Sequence, residues 1–119
     1  MPNPKDLVGT KKVPLWLLPP SGMIHQAMAH KDGADKYGPY NWRDEKILLS
    51  NYISAMQRHL VALVDGEDIA LDSGLHHLGH VMAGAAIVLD AMETGNLIDD
   101  RPKKGRASKL LEELKDDNN

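Results

Sequence analysis

At 119 residues the chain accommodates one ordinary domain and is too short for two. With no Phe and five aromatic residues in all, its core must be built from Leu, Ile, Val, Ala and Met, which favours packed helices over a β-sandwich. The formal charge of −3 argues against general affinity for a DNA or RNA backbone, and the lack of Cys excludes disulfide scaffolds, thiol catalysis and thiolate zinc sites.

Residues 1–14 are polar, hold three prolines and show no periodicity, so they read as an extended arm. They contain no apolar core of signal-peptide length, and no apolar run in the chain approaches a bilayer span; a cytoplasmic protein without a membrane partner is expected. Leu15-Trp16-Leu17-Leu18 is a short apolar anchor, stopped by Pro19-Pro20. Ser21 is placed to cap a first helix over about 21–36, with Gly33 as its weak point. Gly38-Pro39 stops that helix and makes Tyr37–Arg43 a loop. Asp44 is then placed to cap a second helix, about 44–64, whose apolar residues Leu48, Leu49, Tyr52, Ile53, Met56, Leu60 and Leu63 repeat near 3.6. Gly66 ends it. Asp72 or Ser73 caps a third helix, about 73–93, which stops before Gly95.

A loop of about eight residues joins the last two helices, so they should pack antiparallel. The Ala83-Gly84-Ala85-Ala86 stretch has little side-chain bulk and lets another helix come close. Asp99 to Pro102 begins a polar linker. Leu110, Leu111 and Leu114 mark a short C-terminal helix, and the last four residues should fray. The expected architecture is all-α: a small helical bundle with an antiparallel pair (about 44–64 and 73–93), an N-terminal helix and a short C-terminal helix. The expected organisation is an arm at 1–14, a single helical domain at 15–102, and a linker with a short helix at 103–119. The Ala-rich helix face and the small core suggest a homo-oligomer.

Two blocks concentrate the chemistry. Lys36-Tyr37-Gly38-Pro39-Tyr40-Asn41-Trp42-Arg43 places three of the five aromatics within six positions, beside two cations and an amide. Tyr37, Tyr40 and Trp42 offer stacking surfaces. Lys36 and Arg43 could meet phosphates, and Asn41 could read a base edge. The competing reading is a turn whose aromatics pin it to the core. The second block, Arg58 to His80, gathers His59, His76, His77 and His80 with Asp65, Glu67, Asp68 and Asp72. His77 and His80 lie three apart on one helix face, at the head of an inward stripe with Gly84, Val88 and Ala91. Antiparallel packing brings His59 to the same end. Such a cluster could hold a divalent ion together with Glu67 or Asp68, or bind phosphate, or form a buried polar network. Lys103, Lys104 and Arg106 read as a solvated linker.

Taken in order, Pro14-Leu15-Trp16-Leu17-Leu18-Pro19, Gly33-Ala34-Asp35-Lys36-Tyr37-Gly38, Asn41-Trp42-Arg43, Arg58-His59-Leu60, Gly66-Glu67-Asp68, Asp72-Ser73-Gly74-Leu75, His77-Leu78-Gly79-His80 and Asp99-Asp100-Arg101 resemble a phage-borne family. That family is named for the N-terminal domain of dATP/dGTP diphosphohydrolases, and the resemblance covers about residues 13–102. It implies cleavage of purine deoxynucleoside triphosphates to monophosphate and pyrophosphate with Mg²⁺ or Mn²⁺, and kinship with all-α, MazG-like pyrophosphohydrolases. The chain departs from the MazG pattern: it has no Glu-x-x-Glu, its one Glu-x-x-Asp is Glu113…Asp116, and His77-x-x-His80 stands where an acidic pair is expected.

The expected function is therefore a metal-dependent diphosphohydrolase, at work in an infected host cell if phage-encoded. Glu67, Asp68 and His77 are its catalytic candidates. His59, His77, His80 and Asp68 are the metal candidates. Lys36, Tyr37, Asn41, Trp42, Arg43 and Arg58 are the substrate-binding candidates. The alternatives are a non-catalytic protein that sequesters a host signalling nucleotide, and a structural module whose histidines are only a buried network.

Overall fold

The computed structural model describes residues 1 and 3–116. Three helices, α2 (Pro20–Tyr37), α4 (Leu49–Val64) and α5 (His77–Glu93), do most of the packing. The fold is mostly α-helical, as the composition suggests, with one very small sheet.

The arm is not extended throughout. Asn3 accepts a hydrogen bond from the Lys5 amide and Pro4 supplies a preset φ, so Pro4–Gly9 forms a short helix, α1. Leu15–Leu17 forms one 3₁₀ turn. The 15–18 segment is not an anchor within its own chain: Trp16 is 86 % exposed, and Leu15, Leu17 and Leu18 are exposed as well.

The first long helix, α2, covers Pro20–Tyr37. Pro20 sits in its first turn and no side chain caps it, so Ser21 is not the cap. Gly38 ends it at φ 90°, with its amide donating to the Ala34 carbonyl at 2.8 Å. Asn41–Asp44 then makes a single turn, α3, so Asp44 closes that turn and does not start the next helix.

The second long helix starts later than its periodicity suggests. Ile47–Leu48 (β1) pairs in parallel with Leu97–Ile98 (β2), in the register Ile47↔Leu97 and Leu48↔Ile98. The helix α4 therefore begins at Leu49 and runs to Val64. Its orphan amides are met from far along the chain: Asp100 accepts from the Ser50 amide at 2.9 Å and from the Ser50 hydroxyl.

The loop after α4 turns at Gly66 (φ 98°) and folds back on itself, with Ile69 bridged to His76 and the Ala70 amide donating to the Leu75 carbonyl at 2.8 Å. This tight turn consumes residues that sequence periodicity assigns to a helix, so α5 covers His77–Glu93. Its cap is neither Asp72 nor Ser73 but His76, whose Nδ1 accepts from the Leu78 amide at 3.0 Å. The Asp72 carboxylate instead accepts from the Ser73 amide. A short exposed helix, α6, spans Ala107–Glu113. Of the four residues expected to fray, 117–119 lie outside the described residues.

The helix α5 is central. Met56 of α4 meets Gly84 while His59 meets His80, so α4 and α5 run antiparallel. On the other side a Cβ at Gly79 would lie 2.8 Å from the His25 carbonyl oxygen of α2, so that approach requires glycine. Small residues at these crossings let α2 and α4 straddle α5 with a space left between them. The core itself is thin, drawn from Ala29, Trp42, Leu49, Ala70, Ala83, Val88 and Ala91. Among the described residues no helix is long and apolar enough to cross a membrane.

Candidate functional site

His77, the first residue of α5, is only 5 % exposed. A buried imidazole needs partners for both nitrogens, and it has them. Its Nε2 lies 2.8 Å from Glu67 Oε1 and its Nδ1 lies 2.8 Å from His59 Nδ1. A carboxylate only accepts, so Nε2 carries the proton and donates to Glu67. In the neutral ring Nδ1 is then the acceptor, and His59 Nδ1–H donates to it. This fixes the His59 tautomer and leaves its Nε2 as a lone-pair acceptor.

His80 is set by a similar chain. Ser73 Oγ accepts from the Leu75 amide at 3.2 Å, so its O–H is free to donate to His80 Nε2 at 2.7 Å. The His80 ring stacks on His59 with centroids 4.7 Å apart and planes 10° from parallel. Burial pushes the His59 pKa down, and the neighbouring His80 and His77 push it the same way. Neutral His59 is thus the resting form at neutral pH.

His59 and His80 open into a cleft of about 580 Å³ between α2 and α4, with Gly84 and Ile87 of α5 on its floor. Tyr37, Gly38, Pro39, Tyr40, Asn41 and Trp42 form its roof. The roof is firmly tied down. Trp42 Nε1 donates to Asp90 Oδ2 at 2.6 Å, and Arg43 grips both oxygens of Asp90 at 2.9 Å. The Arg43 guanidinium lies over the Tyr40 ring, 4.7 Å from its centroid. Asn96 Nδ2 donates to the carbonyls of Trp42 and Arg43. The Arg43 and Trp42 hydrogen bonds hold the Asp90 carboxyl down at about 2.

The residues selected from sequence divide into distinct groups. Tyr37, Asn41, Trp42, His59 and His80 line the cleft. His77 and Glu67 stand behind His59 and do not line it. Asp68 contributes its carbonyl, which accepts from the His77 amide at 2.9 Å. Arg43 faces Asp90 and Lys36 is paired with Asp32 at 3.0 Å, so neither cation reaches into the cleft. Arg58 borders a separate shallow groove with Gln57, Leu60 and Glu67. Among the described residues no Lys or Arg lines the cleft. The Asp72 charge acts on both His59 and Lys36.

Asp90, Asn96 and Ser73 have site roles that sequence reasoning misses. Asp90 does leave a signal, as the one charged side chain between Val81 and Met92.

The donor set does not fit a divalent-ion centre of the kind the family implies. Among the described residues no three His, Asp or Glu side chains converge as a metal site. His77 has both nitrogens engaged, and Mg²⁺ prefers oxygen ligands that this cluster does not aim at it.

The family described as dATP/dGTP diphosphohydrolase, N-terminal, matches residues 2–101. The chain belongs to this family. A curated relative named dATP/dGTP diphosphohydrolase, from Salmonella phage PMBT28, is 31 % identical over 90 residues, covering 76 % of this chain and 30 % of the relative. The chain thus spans about a third of that relative's length. No solved structure matches. The matched region contains both the roof and the imidazole pair, and it ends one residue beyond Asp100, which holds the start of α4.

Proposed function

We propose that this domain binds a purine deoxynucleoside triphosphate in the cleft and takes part in its cleavage to monophosphate and pyrophosphate. Membership of the family and the name of the phage relative supply the substrate class. The observation that carries the reading is one cleft with an aromatic roof and three imidazoles, those of His30, His59 and His80, lining the same space. At about 580 Å³ it falls within the range of small-molecule sites.

Tyr37 and Trp42 offer faces for a base, and Asn41 offers both a donor and an acceptor to its edge. His59 Nε2, held as an acceptor by the chain His59–His77–Glu67, takes the proton from the attacking water. The water oxygen bonds to the α-phosphorus, the bond from that phosphorus to the bridging oxygen breaks, and pyrophosphate leaves. Glu67 offsets the positive charge that develops across the two rings. His77 and Glu67 are positioning residues in this scheme, and His59 is the group in contact with the reacting water.

The test is incubation of the 119-residue protein with dATP and dGTP in Mg²⁺ or Mn²⁺, followed by phosphorus NMR for pyrophosphate. The expected products are dAMP or dGMP and pyrophosphate, lost with His59→Ala. Intact triphosphate under all conditions would remove the catalytic reading.

A further inference from the structure

The chain has far more surface than a compact monomer of its mass. A folded monomer of this size exposes about 6,400 Å², whereas this chain exposes 9802 Å². Its radius of gyration is 18.3 Å, against about 13.5 Å for a compact domain of its length. The excess of about 3,400 Å² exceeds what one partner loses in an ordinary interface, about 800 Å².

Part of that surface is apolar, and two of its apolar places bear on each other. One is the arm, where Leu15, Trp16, Leu17 and Leu18 project from the body. The other is an outward stripe on α5 formed by Leu78, Ala85, Leu89 and Met92, with Leu89 61 % exposed. The other side of α5 is packed by α2 and α4. A helix that is apolar on all sides is a helix that is covered on all sides.

Charge matches the two places to each other. Residues 1–19 carry three lysines and one acid, whereas residues 20–102 carry twelve acids and six bases. Lys11 and Lys12 precede the apolar segment, and Glu93 ends the stripe. Within one chain the arm leads away from the body, directly before α2.

We propose that the arm is exchanged between two copies of this chain, its Leu15–Leu18 segment docking on the outward α5 stripe of the second copy. The exchange is reciprocal, so each copy gives one arm and receives one. Burying Trp16 in this way supplies the aromatic anchor that such interfaces depend on.

Sedimentation velocity of the unmodified chain and of two single variants, Trp16→Ala and Leu89→Lys, tests this. The unmodified chain is expected to sediment as a dimer or larger at micromolar concentration, and each variant to dissociate at concentrations at least about tenfold higher. Mixing the two variants should restore part of the association, because the intact arm of one meets the intact stripe of the other. If Leu89→Lys loses its helical circular dichroism, Trp16→Ala carries the test alone, since the Trp16 side chain is 86 % exposed within its own chain. A monomeric unmodified chain, or an oligomer untouched by Trp16→Ala, would overturn the proposal.

Discussion

Replacing His77 with Ala separates a positioning role from a substrate-contacting one. The ring is buried, and it makes two hydrogen bonds of 2.8 Å. Its removal leaves the His59 Nδ1–H without an acceptor in a half-buried setting and opens a space beneath α5. The Glu67 side chain is 43 % exposed, so water recovers most of its loss. A lost hydrogen bond with an unmet donor costs about 1–2 kcal/mol, and the lost ring packing a similar amount, giving about 2–4 kcal/mol together. For a chain of this length, 1 kcal/mol corresponds to about 4 °C, so the melting midpoint should fall by about 8–16 °C. Because the ring does not line the cleft, nucleotide affinity should change by less than about threefold, while turnover falls on the order of 100-fold as His59 loses its fixed tautomer. Thermal melting by circular dichroism, calorimetric nucleotide binding and pyrophosphate release measure the three quantities. A melting midpoint within about 2 °C of the original would refute the network described here.

Three further outcomes follow from other contacts. The His59 pKa is held below its ordinary 6.5, so the folded form binds fewer protons than the unfolded one. Its contribution to stability is full above pH 6.5 and declines as pH falls from there to the lowered value; His59→Ala should flatten that part of the melting-versus-pH curve. Tyr37→Ala removes a 74 % exposed ring at the cleft; nucleotide affinity should weaken by about 1–3 kcal/mol with little change in melting temperature, as seen by titration calorimetry. Asp90→Asn releases Arg43, so Trp42 emission should shift to the red. With Asp90 intact and its pKa at about 2, the stabilisation from its ionised form is present above pH 3.8 and is lost between 3.8 and 2; the Asn variant should show no such step.

Helical periodicity located α2 nearly to the residue, and the inward stripe of α5 appears as expected in buried His77, Val88 and Ala91. The local signal failed at the starts of α4 and α5, where partners distant in sequence decide the boundary. Leu48 fits a helical repeat, yet parallel pairing with Ile98 holds it extended. Asp72 and Ser73 have cap chemistry, yet the turn between Ile69 and His76 leaves a histidine at the cap. Within the site, spacing alone brought His59, His77 and His80 to one end of the helix pair. It did not reveal that Asp90 would claim Arg43, because that contact spans 47 positions and depends on the roof's left-handed Tyr40.

Asp100 has a consequence for how the gene can be divided. It lies beyond Asp90, the last cleft-lining residue, yet its carboxylate holds the first turn of α4, and its neighbours Leu97 and Ile98 hold β1. A fragment ending at residue 95 would retain every cleft-lining side chain while removing the clasp that fixes where the His59 helix starts. The smallest independently folding unit must therefore extend past the chemistry, through residue 100.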